Sequence, residues 1–415
     1  MSILIAGGGI GGLITALELH QKGFDVRVFE AVDEIRPLGV GINVLPHAVR
    51  VLAAHDLLGK LADTAITTGE LAYFNRHGQE IWKEPRGVGA GYNFPQFSIH
   101  RGDLQMILLH EAERILGKDR IRKGRKLIRF EETATGRARA FFTDPRGENP
   151  ETIEADLLIA ADGIHSVARA QMYPNEGPPI WNGRVLWRAV SKNQKPYLSG
   201  RTMIMAGHQD QKFVCYPISR EAEKRGVSDI NWIAELSFDP SKGWRREDYN
   251  RAGVLADFAP RFASWKFDWL DVPGLIESSE QIWEYPLVDR NPVDRWTFGP
   301  VTLLGDSAHP MYPIGSNGAS QGILDAECLA NSIEKHGETH AALAAYEAER
   351  RPPTSAIVLA NRQNGPEQVM QMAEERAPDG FRHVEDVISR QELEDIANRY
   401  KQLAGFTKQH VNKVA

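Results

Sequence analysis

The sequence lacks the features that mark secreted, membrane or nucleic-acid-binding proteins. Its 415 residues include only two cysteines, Cys215 and Cys328, which lie far apart and match no C-x-x-C or zinc spacing. No window approaches the ~20 consecutive apolar residues of a membrane span. A formal net charge of −6 provides no basic field for nucleic acid. We therefore expect a cytoplasmic protein with no disulfide, no metal, no nucleic-acid partner and no membrane contact.

Two further points bound the architecture. The first apolar strand begins at residue 2, so no N-terminal targeting segment is expected. The length exceeds the size at which a single hydrophobic core stops growing. We therefore expect two domains.

A glycine-rich turn follows the first predicted strand and opens a predicted helix. Gly7, Gly9 and Gly12 form a G-x-G-x-x-G pattern. The first glycine allows a tight turn, the second lets the backbone approach a pyrophosphate, and the third lets helix and strand pack closely. A second predicted strand, residues 25–29, delivers Glu30, whose carboxylate can accept hydrogen bonds from ribose hydroxyls and would repel a 2′-phosphate. These positions predict a site for the adenosine of FAD or NAD rather than NADP.

Two later segments each join an apolar strand to an acidic residue at its carboxyl end. Residues 156–169 contain Asp162 followed by glycine, and residues 301–319 contain Asp306 before a predicted helix over 321–333. Open α/β sheets bind ligands at this end of their strands. An acid there can accept a hydrogen bond from a ribityl hydroxyl, and helix-start amides can hold negative charge on a flavin ring. Either segment could be an ordinary turn, but together with the glycine loop they indicate a flavin.

The three motifs in this order resemble a known family. The patterns G-x-G-x-x-G, D-G-x-x-S-x-x-R and G-D-x-A-H-P, spread over residues 1 to about 362, are similar to those of the single-component (group A) FAD-dependent aromatic monooxygenases, which include salicylate and 4-hydroxybenzoate hydroxylases. The members that modify phenazines (5-methylphenazine-1-carboxylate) and those like 3-hydroxybenzoate hydroxylase are the most similar, through residues 36–43, 98–102, 216–219, 311–320 and 359–362. Many relatives have a longer glycine-rich stretch after Pro313.

The resemblance implies roles for particular residues. The cofactor-binding set would be Gly7, Gly9, Gly12, Glu30, Gly41, Arg101, Leu127, Asp162, Asp306, Asn317, Gly318 and Ala319. Within it, Arg101 would lie over the diphosphate and Asp306 would hold the ribityl chain, while residues 317–319 would face the isoalloxazine edge. Asp162 and Arg169 would tie the Asp-Gly loop to the flavin site and to a passing nicotinamide nucleotide.

Flexibility near the flavin ring is a further expectation. Glycine lowers the barrier to backbone rearrangement, so the loops around Gly41 and residues 315–318 are expected to hold the ring loosely. Two arginines leave alternatives open. Arg101 could be a surface residue paired with Asp103, and Arg188 could bind a substrate carboxylate, although a structural role is favoured for it.

Tryptophan is concentrated in the middle of the chain. Seven of the nine tryptophans lie between residues 180 and 290, among short strand-like segments. A sheet covering a flavin ring would present flat apolar side chains to an aromatic substrate. We therefore expect Trp187, Tyr216 and Trp232 near the substrate, and we place Pro313, Tyr216 and Trp187 at the catalytic centre. Each aromatic could equally pack a sheet core.

The predicted fold is α/β. A Rossmann-like FAD-binding domain is interleaved with a smaller β-sheet substrate domain, and C-terminal helices follow. The expected FAD-binding domain comprises residues 1–72, 98–179 and 290–352. The expected substrate domain comprises residues 73–97 and 180–289. A helical segment over 353–415, with helical spacing at 357–372 and a charged tail from 392, is expected to cap the substrate domain.

The predicted function is hydroxylation of an aromatic or heteroaromatic small molecule, such as a phenazine or a hydroxybenzoate. The resemblance implies NADH or NADPH and O2 as co-substrates, a flavin hydroperoxide as the oxidant, and a monomer or homodimer. A flavin-dependent halogenase or reductase of the same fold is one alternative, and a non-catalytic flavin-binding protein is another. The single dinucleotide loop and the lack of a redox cysteine pair argue against a disulfide reductase. The acids Glu30, Asp162 and Asp306 argue against a non-catalytic protein.

Overall fold

The computed structural model describes residues 2–244 and 251–413, and its elements are named here in chain order. The strands are β1 (Ile3–Ala6), β2 (Val26–Phe29), β3 (Gly41–Val44), β4 (Ile66–Thr67), β5 (Glu70–Phe74), β6 (Glu80–Pro85), β7 (Phe97–His100), β8 (Ile121–Arg122), β9 (Lys126–Glu132), β10 (Ala138–Thr143), β11 (Glu151–Ala155), β12 (Leu157–Ala160), β13 (Ile180–Gln194), β14 (Thr202–His208), β15 (Gln211–Pro217), β16 (Ser228–Ser237), β17 (Lys266–Phe267), β18 (Leu270–Asp271), β19 (Ile282–Asp289), β20 (Thr297–Phe298) and β21 (Val301–Leu303). The α-helices are α1 (Ile10–Gln21), α2 (Pro46–Ala53), α3 (Leu58–Thr64), α4 (Arg101–Leu116), α5 (Val167–Met172), α6 (Arg220–Lys224), α7 (Leu255–Phe258), α8 (Val272–Glu277), α9 (Gly318–His336), α10 (His340–Arg362), α11 (Gln368–Arg376), α12 (Arg390–Leu403) and α13 (Lys408–Lys413).

A six-stranded sheet forms the centre of the first domain. Its strand order is β20-β21-β12-β1-β2-β8, and every pairing except β20 with β21 is parallel. The strands β1 and β12 are apolar throughout and buried throughout, as central parallel strands are. The carboxyl ends of β1, β2, β12 and β21 therefore meet at one edge of the sheet, which brings together the three motifs that the sequence separates. The predicted α/β class is confirmed.

A seven-stranded sheet forms the second domain, in the order β19-β13-β16-β15-β14-β5-β6. Its first strand in the sequence, β5, begins at Glu70, so the boundary expected between residues 72 and 73 falls inside that strand. The boundary expected between residues 97 and 98 falls inside β7, which pairs with β3 and β4. Both positions are set by strand pairing with distant residues, which the local sequence does not display.

The two faces of the seven-stranded sheet carry different side chains, because successive residues of a strand point to opposite sides. We call the face that carries Trp187, Phe213 and Trp232 the distal face. It packs against α7, α8 and the turns next to them. We call the face that carries Met205 and Tyr216 the proximal face.

The C-terminal helices cover the proximal face. Side chains of α11 and α12, including Val369 and Ile396, share a buried cluster with the proximal residues. Helix α10 runs without a break through Pro352 and Pro353, so the boundary expected there falls inside a helix. The helical spacing expected over 357–372 is interrupted by a turn at Gly365–Glu367, which separates α10 from α11. In the described parts of the chain, no helix combines the length and apolarity needed to cross a bilayer.

Candidate active site

The glycine loop between β1 and α1 has no room for a side chain at Gly7 and Gly12, where it packs against the protein, but it has open space at Gly9. A Cβ atom on Gly7 (φ +114°) would lie 2.2 Å from the carbonyl oxygen of Ala161. A Cβ atom on Gly12 would lie 2.0 Å from the carbonyl oxygen of Gly7. A Cβ atom on Gly9 would meet no described atom within 4 Å. This arrangement fits a diphosphate, which needs close backbone approach at the start of a helix.

Glu30 lies at the end of β2, beside this loop. Its carboxylate accepts hydrogen bonds from the backbone N–H of Gly8 at 2.6 Å and of Val32 at 2.9 Å. An ionised carboxylate offers about four lone-pair positions, so acceptor capacity remains for ribose hydroxyls. Glu30 therefore also fixes the loop, a role that the sequence analysis did not include.

Arg101 and Asp306 border the same cleft from α4 and from the turn after β21. Arg101 is exposed, and no described carboxylate forms an ion pair with it. Asp103, the partner considered from the sequence, lies 3.9 Å from His100. The Asp306 carboxylate has no hydrogen-bond partner among the described residues. Desolvation raises the pKa of Asp306, although the residue keeps solvent access, and the charges of His309 and Arg101 oppose that rise. A carboxylate with free acceptor positions beside a cation fits the ribityl and phosphate groups of FAD.

The Asp-Gly loop after β12 is tied to the Asp306 loop by side chains. The Asp162 carboxylate accepts hydrogen bonds from the N–H of Val167 at 2.8 Å and from the Ser307 hydroxyl at 3.1 Å. Arg169 is only 1% exposed, pairs with Glu176, and donates to the carbonyl of Ser307 at 3.1 Å. The expectation that Arg169 contacts a passing nicotinamide nucleotide is wrong, because its donors are occupied inside the protein.

Helix α9 begins at Gly318, three residues before its predicted start, and its first N–H groups face this edge of the sheet. The buried Asn317 side chain does not cap the helix. Its amide nitrogen donates to the Tyr400 hydroxyl at 3.2 Å, and its amide oxygen accepts from Gln321 at 3.3 Å. The N–H groups of Gly318 and Ala319 lack intrahelical acceptors because of their position. They could hold negative charge on a flavin ring.

Gly41 is held tightly at the start of β3. Its N–H donates to the Asn231 side chain at 2.6 Å, and its carbonyl accepts from the Tyr216 hydroxyl at 2.8 Å. A Cβ atom there would lie 2.7 Å from Asn231 and 2.8 Å from Tyr216. Glycine is therefore needed at position 41 for close packing between the two domains, while the looseness expected of the loop around it stays a prediction.

Gly315 is also packed, on the other side of the flavin edge. It has a positive φ of 67°, and a Cβ atom on it would lie 2.2 Å from the Tyr400 hydroxyl. That hydroxyl also lies 3.0 Å from the Asn361 side chain. The loop over 315–318 thus contacts α10 and α12 closely, and the expectation that the ring is held loosely stays a prediction. The neighbouring Pro313 is exposed at the mouth of the loop.

The structure separates the three aromatic residues expected near the substrate. Tyr216 lies on the proximal face, and its place beside the substrate stays a prediction. Trp187 has no exposed surface on the distal face and stacks on Phe258 with ring centroids 4.9 Å apart. Trp232 is equally buried there and donates its N–H to Ser191 at 3.0 Å. Placing Trp187 and Trp232 beside the substrate is therefore wrong, because strand alternation directs both away from the flavin edge.

Leu127, which was expected to contact the cofactor, lies in the core of the first domain.

A narrow cavity lies between the proximal face and the C-terminal helices. The cavity itself is small, with a volume of about 30 Å³, so an aromatic ligand can enter only if side chains of its wall move. The cavity reaches the loop that contains Gly315 and Ser316. Aromatic and flexible thioether side chains supply much of its wall, namely Tyr73, Trp82, Met203, Met205, Tyr400 and Phe406. The sequence analysis missed this cavity, because its walls come from segments far apart in the chain.

One end of the cavity is charged. Arg86 Nη2 lies 2.8 Å from Glu84 Oε1, and Lys401 Nζ lies 2.5 Å from Glu84 Oε2. Burial favours the neutral acid, but the charges of Arg86 and Lys401 outweigh that effect and lower the pKa of Glu84. Two buried donors of this wall, Arg86 Nε and Trp82 Nε1, have no hydrogen-bond partner in residues 2–244 and 251–413.

Comparison with known proteins identifies the family. The family described as FAD binding domain matches residues 1–361. The chain belongs to it. Phenazine 1,6-dicarboxylic acid hydroxylase PhzS from Lysobacter antibioticus is 47% identical over 365 residues, which cover 87% of this chain and 89% of that protein. Aurachin C monooxygenase/isomerase from Stigmatella aurantiaca is 32% identical, with 84% of this chain and 85% of that protein covered.

Solved structures share the fold. The crystal structure of Klebsiella pneumoniae HpxO complexed with FAD and uric acid is similar to this chain, with a TM-score of 0.73. The match covers 100% of this chain and 95% of the HpxO chain. At 22% identity the match shows the fold alone. The family and the relatives confirm the resemblance to the aromatic hydroxylases, and with it FAD as the cofactor. This family member is an FAD-dependent monooxygenase of the aromatic hydroxylase type.

Proposed function

We propose that this monooxygenase hydroxylates a carboxylated phenazine or a similar planar fused-ring heteroaromatic, with NADH or NADPH and O2 as co-substrates. The observation that carries the proposal is the 47% identity, over 87% of the chain, to a relative named as a phenazine 1,6-dicarboxylic acid hydroxylase. The cavity supports it, because flat aromatic walls suit a planar ring system. Met203 and Met205 add side chains that can adapt to the ligand's shape.

The proposal assigns the residues around the cleft to parts of FAD. Bound FAD supplies the redox chemistry that transfers an oxygen atom to an aromatic ring. The ADP part is held by Gly7, Gly9, Gly12, Glu30 and Arg101, the ribityl chain by Asp306, and the ring by the backbone of residues 317–319 and by the Gly41 strand. Leu127 packs near the adenine, and Asp162 acts indirectly by positioning the loop that carries Ser307.

The remaining work of the protein is orientation and exclusion of water. Tyr216 fixes Gly41 through a 2.8 Å hydrogen bond and so sets the position of β3 beside the flavin edge. We place Pro313, which is exposed next to the packed loop at Gly315, at the opening between the cleft and the cavity. Because α11 and α12 cover the proximal face, an aromatic ligand in the cavity is shielded from solvent.

The proposal also covers the cellular location and the oligomeric state of the enzyme. Cys215 and Cys328 are unpaired and buried, which suits a reducing compartment, so we propose a cytoplasmic location. A monomer or a homodimer is proposed as the working form, with the small aromatic substrate as the ligand.

Consumption of NADH and NADPH in the presence of candidate aromatics tests the reaction. The panel comprises phenazine-1-carboxylate, phenazine-1,6-dicarboxylate, 3-hydroxybenzoate and a pyridine carboxylate. We expect a phenazine acid to stimulate consumption most and to yield a product one oxygen atom heavier by mass spectrometry. Stimulation by one-ring acids alone would contradict the phenazine proposal, and consumption without an oxygenated product would favour a reductase.

The FAD assignment is tested by Asp306→Ala. We expect FAD affinity to fall about 10- to 100-fold, since one charged hydrogen bond contributes roughly 1.5–3 kcal/mol. Titration of the apoprotein with FAD measures it, and denaturation of the holoprotein followed by chromatography identifies the released cofactor. Asp103→Ala, which removes a half-exposed acid from α4, serves as the control and should bind FAD like the wild type. Unchanged affinity in a folded Asp306→Ala protein would remove Asp306 from the site.

A further inference from the structure

The charged end of the cavity has more hydrogen-bond donors than the protein uses. We infer that Arg86 binds the carboxylate of an aromatic acid substrate and so anchors that substrate in the cavity. The inference rests on the proposed function in one respect, that this cavity receives the aromatic substrate. It specifies which residue recognises the acid group.

The guanidinium of Arg86 is only partly paired within the described protein. Its Nη2 atom pairs with Glu84 at 2.8 Å, while its Nε atom is buried without a partner in the part of the chain that the structure describes. A guanidinium carries five N–H donors in one plane, and adjacent donors match the two oxygens of a carboxylate. Buried donors in folded proteins nearly always find an acceptor. Arg86 lines the cavity and has donors that the described protein leaves unpaired, so it is suited to a ligand carboxylate.

Glu84 does not neutralise this end of the cavity. It is shared between Arg86 and Lys401, at 2.8 Å and 2.5 Å, and the lowered pKa of its carboxyl keeps it ionised at neutral pH. Two cations and one anion leave a single positive charge. The nearby walls are mostly apolar, so the field of that charge is weakly screened and favours one anionic group.

The position of Arg86 in the strand also directs it toward the ligand. Trp82, Glu84 and Arg86 alternate along β6 and its continuation, which places all three on one side and in the cavity wall. The intervening Lys83 is exposed on the other side. Arg188, the arginine considered from the sequence, is not among the residues that line the cavity.

The experiment compares acids with neutral analogues of the same ring. FAD-loaded protein at neutral pH is titrated with phenazine-1-carboxylate against phenazine, and with 3-hydroxybenzoate against phenol, and the flavin absorption reports binding. In Arg86→Gln we expect the Kd of the acid to rise about 10- to 100-fold. The Kd of the neutral analogue should stay within about twofold of the wild-type value. Arg86→Lys keeps the charge but loses the planar pair of donors, so an intermediate rise is expected.

Lys83→Gln is the matched control, because it removes one positive charge from an exposed residue of β6 that lies three positions before Arg86. It should leave the Kd of both members of each pair unchanged. Retained FAD absorption shows that each variant is folded, and Arg86→Lys carries the test if Arg86→Gln loses its flavin.

Each outcome bears on the inference. If only the 3-hydroxybenzoate pair binds the wild type, the phenazine proposal fails and Arg86 is judged on that pair. Equal weakening of acid and neutral analogue, or an unchanged Kd for the acid, overturns the role of Arg86. A wild-type protein that binds neither acid, or that binds acids no better than their neutral analogues, also overturns it.

Discussion

The two faces of the seven-stranded sheet are built on the same strands but differ in how completely they are packed. On the distal face, Trp187 and Trp232 have no exposed surface; the Trp232 N–H is hydrogen-bonded, whereas the Trp187 N–H has no partner among the described residues. On the proximal face, a cavity remains beneath the C-terminal helices, and Trp82 Nε1 and Arg86 Nε lack partners among the described residues. The distal face therefore has the character of a core, and the proximal face that of a binding site.

This difference shows which signal marks a site in this protein. Aromatic residues are abundant on both sides of the sheet, so their density does not distinguish a substrate pocket from a core. Residual space does distinguish them, because a core eliminates voids. Unpaired buried donors do not, since Trp187 Nε1 on the distal face lacks a partner among the described residues as Trp82 Nε1 does on the proximal face. Three predictions test this contrast, in order of decreasing effect.

Removal of an aromatic side chain from the distal face should lower the free energy of unfolding the most and should leave ligand binding unchanged. Trp187→Ala deletes a fully buried ring that stacks on Phe258, and such changes cost about 3–5 kcal/mol. We expect the free energy of unfolding, measured with denaturant, to fall by that amount. In the protein that remains folded, the Kd of an aromatic acid should match the wild type. Weakened ligand binding with unchanged stability would reverse the assignment of the two faces.

A single added methyl group should disrupt the contact between the proximal face and β3. In Gly41→Ala, the added Cβ would lie 2.7 Å from Asn231 and 2.8 Å from Tyr216. We expect a loss of about 1–3 kcal/mol in the free energy of unfolding from overpacking, and weaker FAD binding. The control is Gly59→Ala in α3, where a Cβ would meet no described atom within 4 Å. That change should be neutral or slightly stabilising. Equal effects of both substitutions would show that Gly41 is not clamped.

The charged end of the cavity should give the proximal face a small pH dependence. Because the pKa of Glu84 is lowered on folding, its contribution to stability is present above its ordinary value of 4.5 and is lost as the pH falls through the lower folded value. We expect Glu84→Gln to lower the unfolding free energy by about 1 kcal/mol at neutral pH, and the difference from wild type to shrink in acid.

The control for this pH dependence is an exposed ion pair on the same strand. Glu80 pairs with Lys83 at 3.4 Å, and both side chains are nearly half exposed. Glu80→Gln should therefore change stability little at any pH, because water screens the pair. A difference between Glu84→Gln and wild type that stays constant down to acidic pH would contradict the lowered pKa.

The sequence was sufficient for the first domain, because its signals are local. The residues of the glycine loop, Glu30 and Asp306 each stand at a strand end that apolar patterning reveals, and parallel strands place such ends on one edge. The substrate side could not be predicted in the same way. Trp187 and Tyr216 both lie in strand-like segments rich in aromatic residues, and only the pairing of the strands and the elements packed on them decide which face each residue joins.

By itself, the sequence determined the α/β class, the FAD-binding edge and the enzyme family, because these depend on short motifs whose geometry is built by neighbouring residues. The tertiary structure alone decided that Gly41 is clamped, that Arg169 is buried, and that the cavity is closed by α12. Those features depend on contacts between segments more than 100 residues apart, such as the Gly41–Asn231 hydrogen bond and the Glu84–Lys401 ion pair. Local patterning does not encode such contacts, since each partner residue is compatible with many environments until the chain is folded.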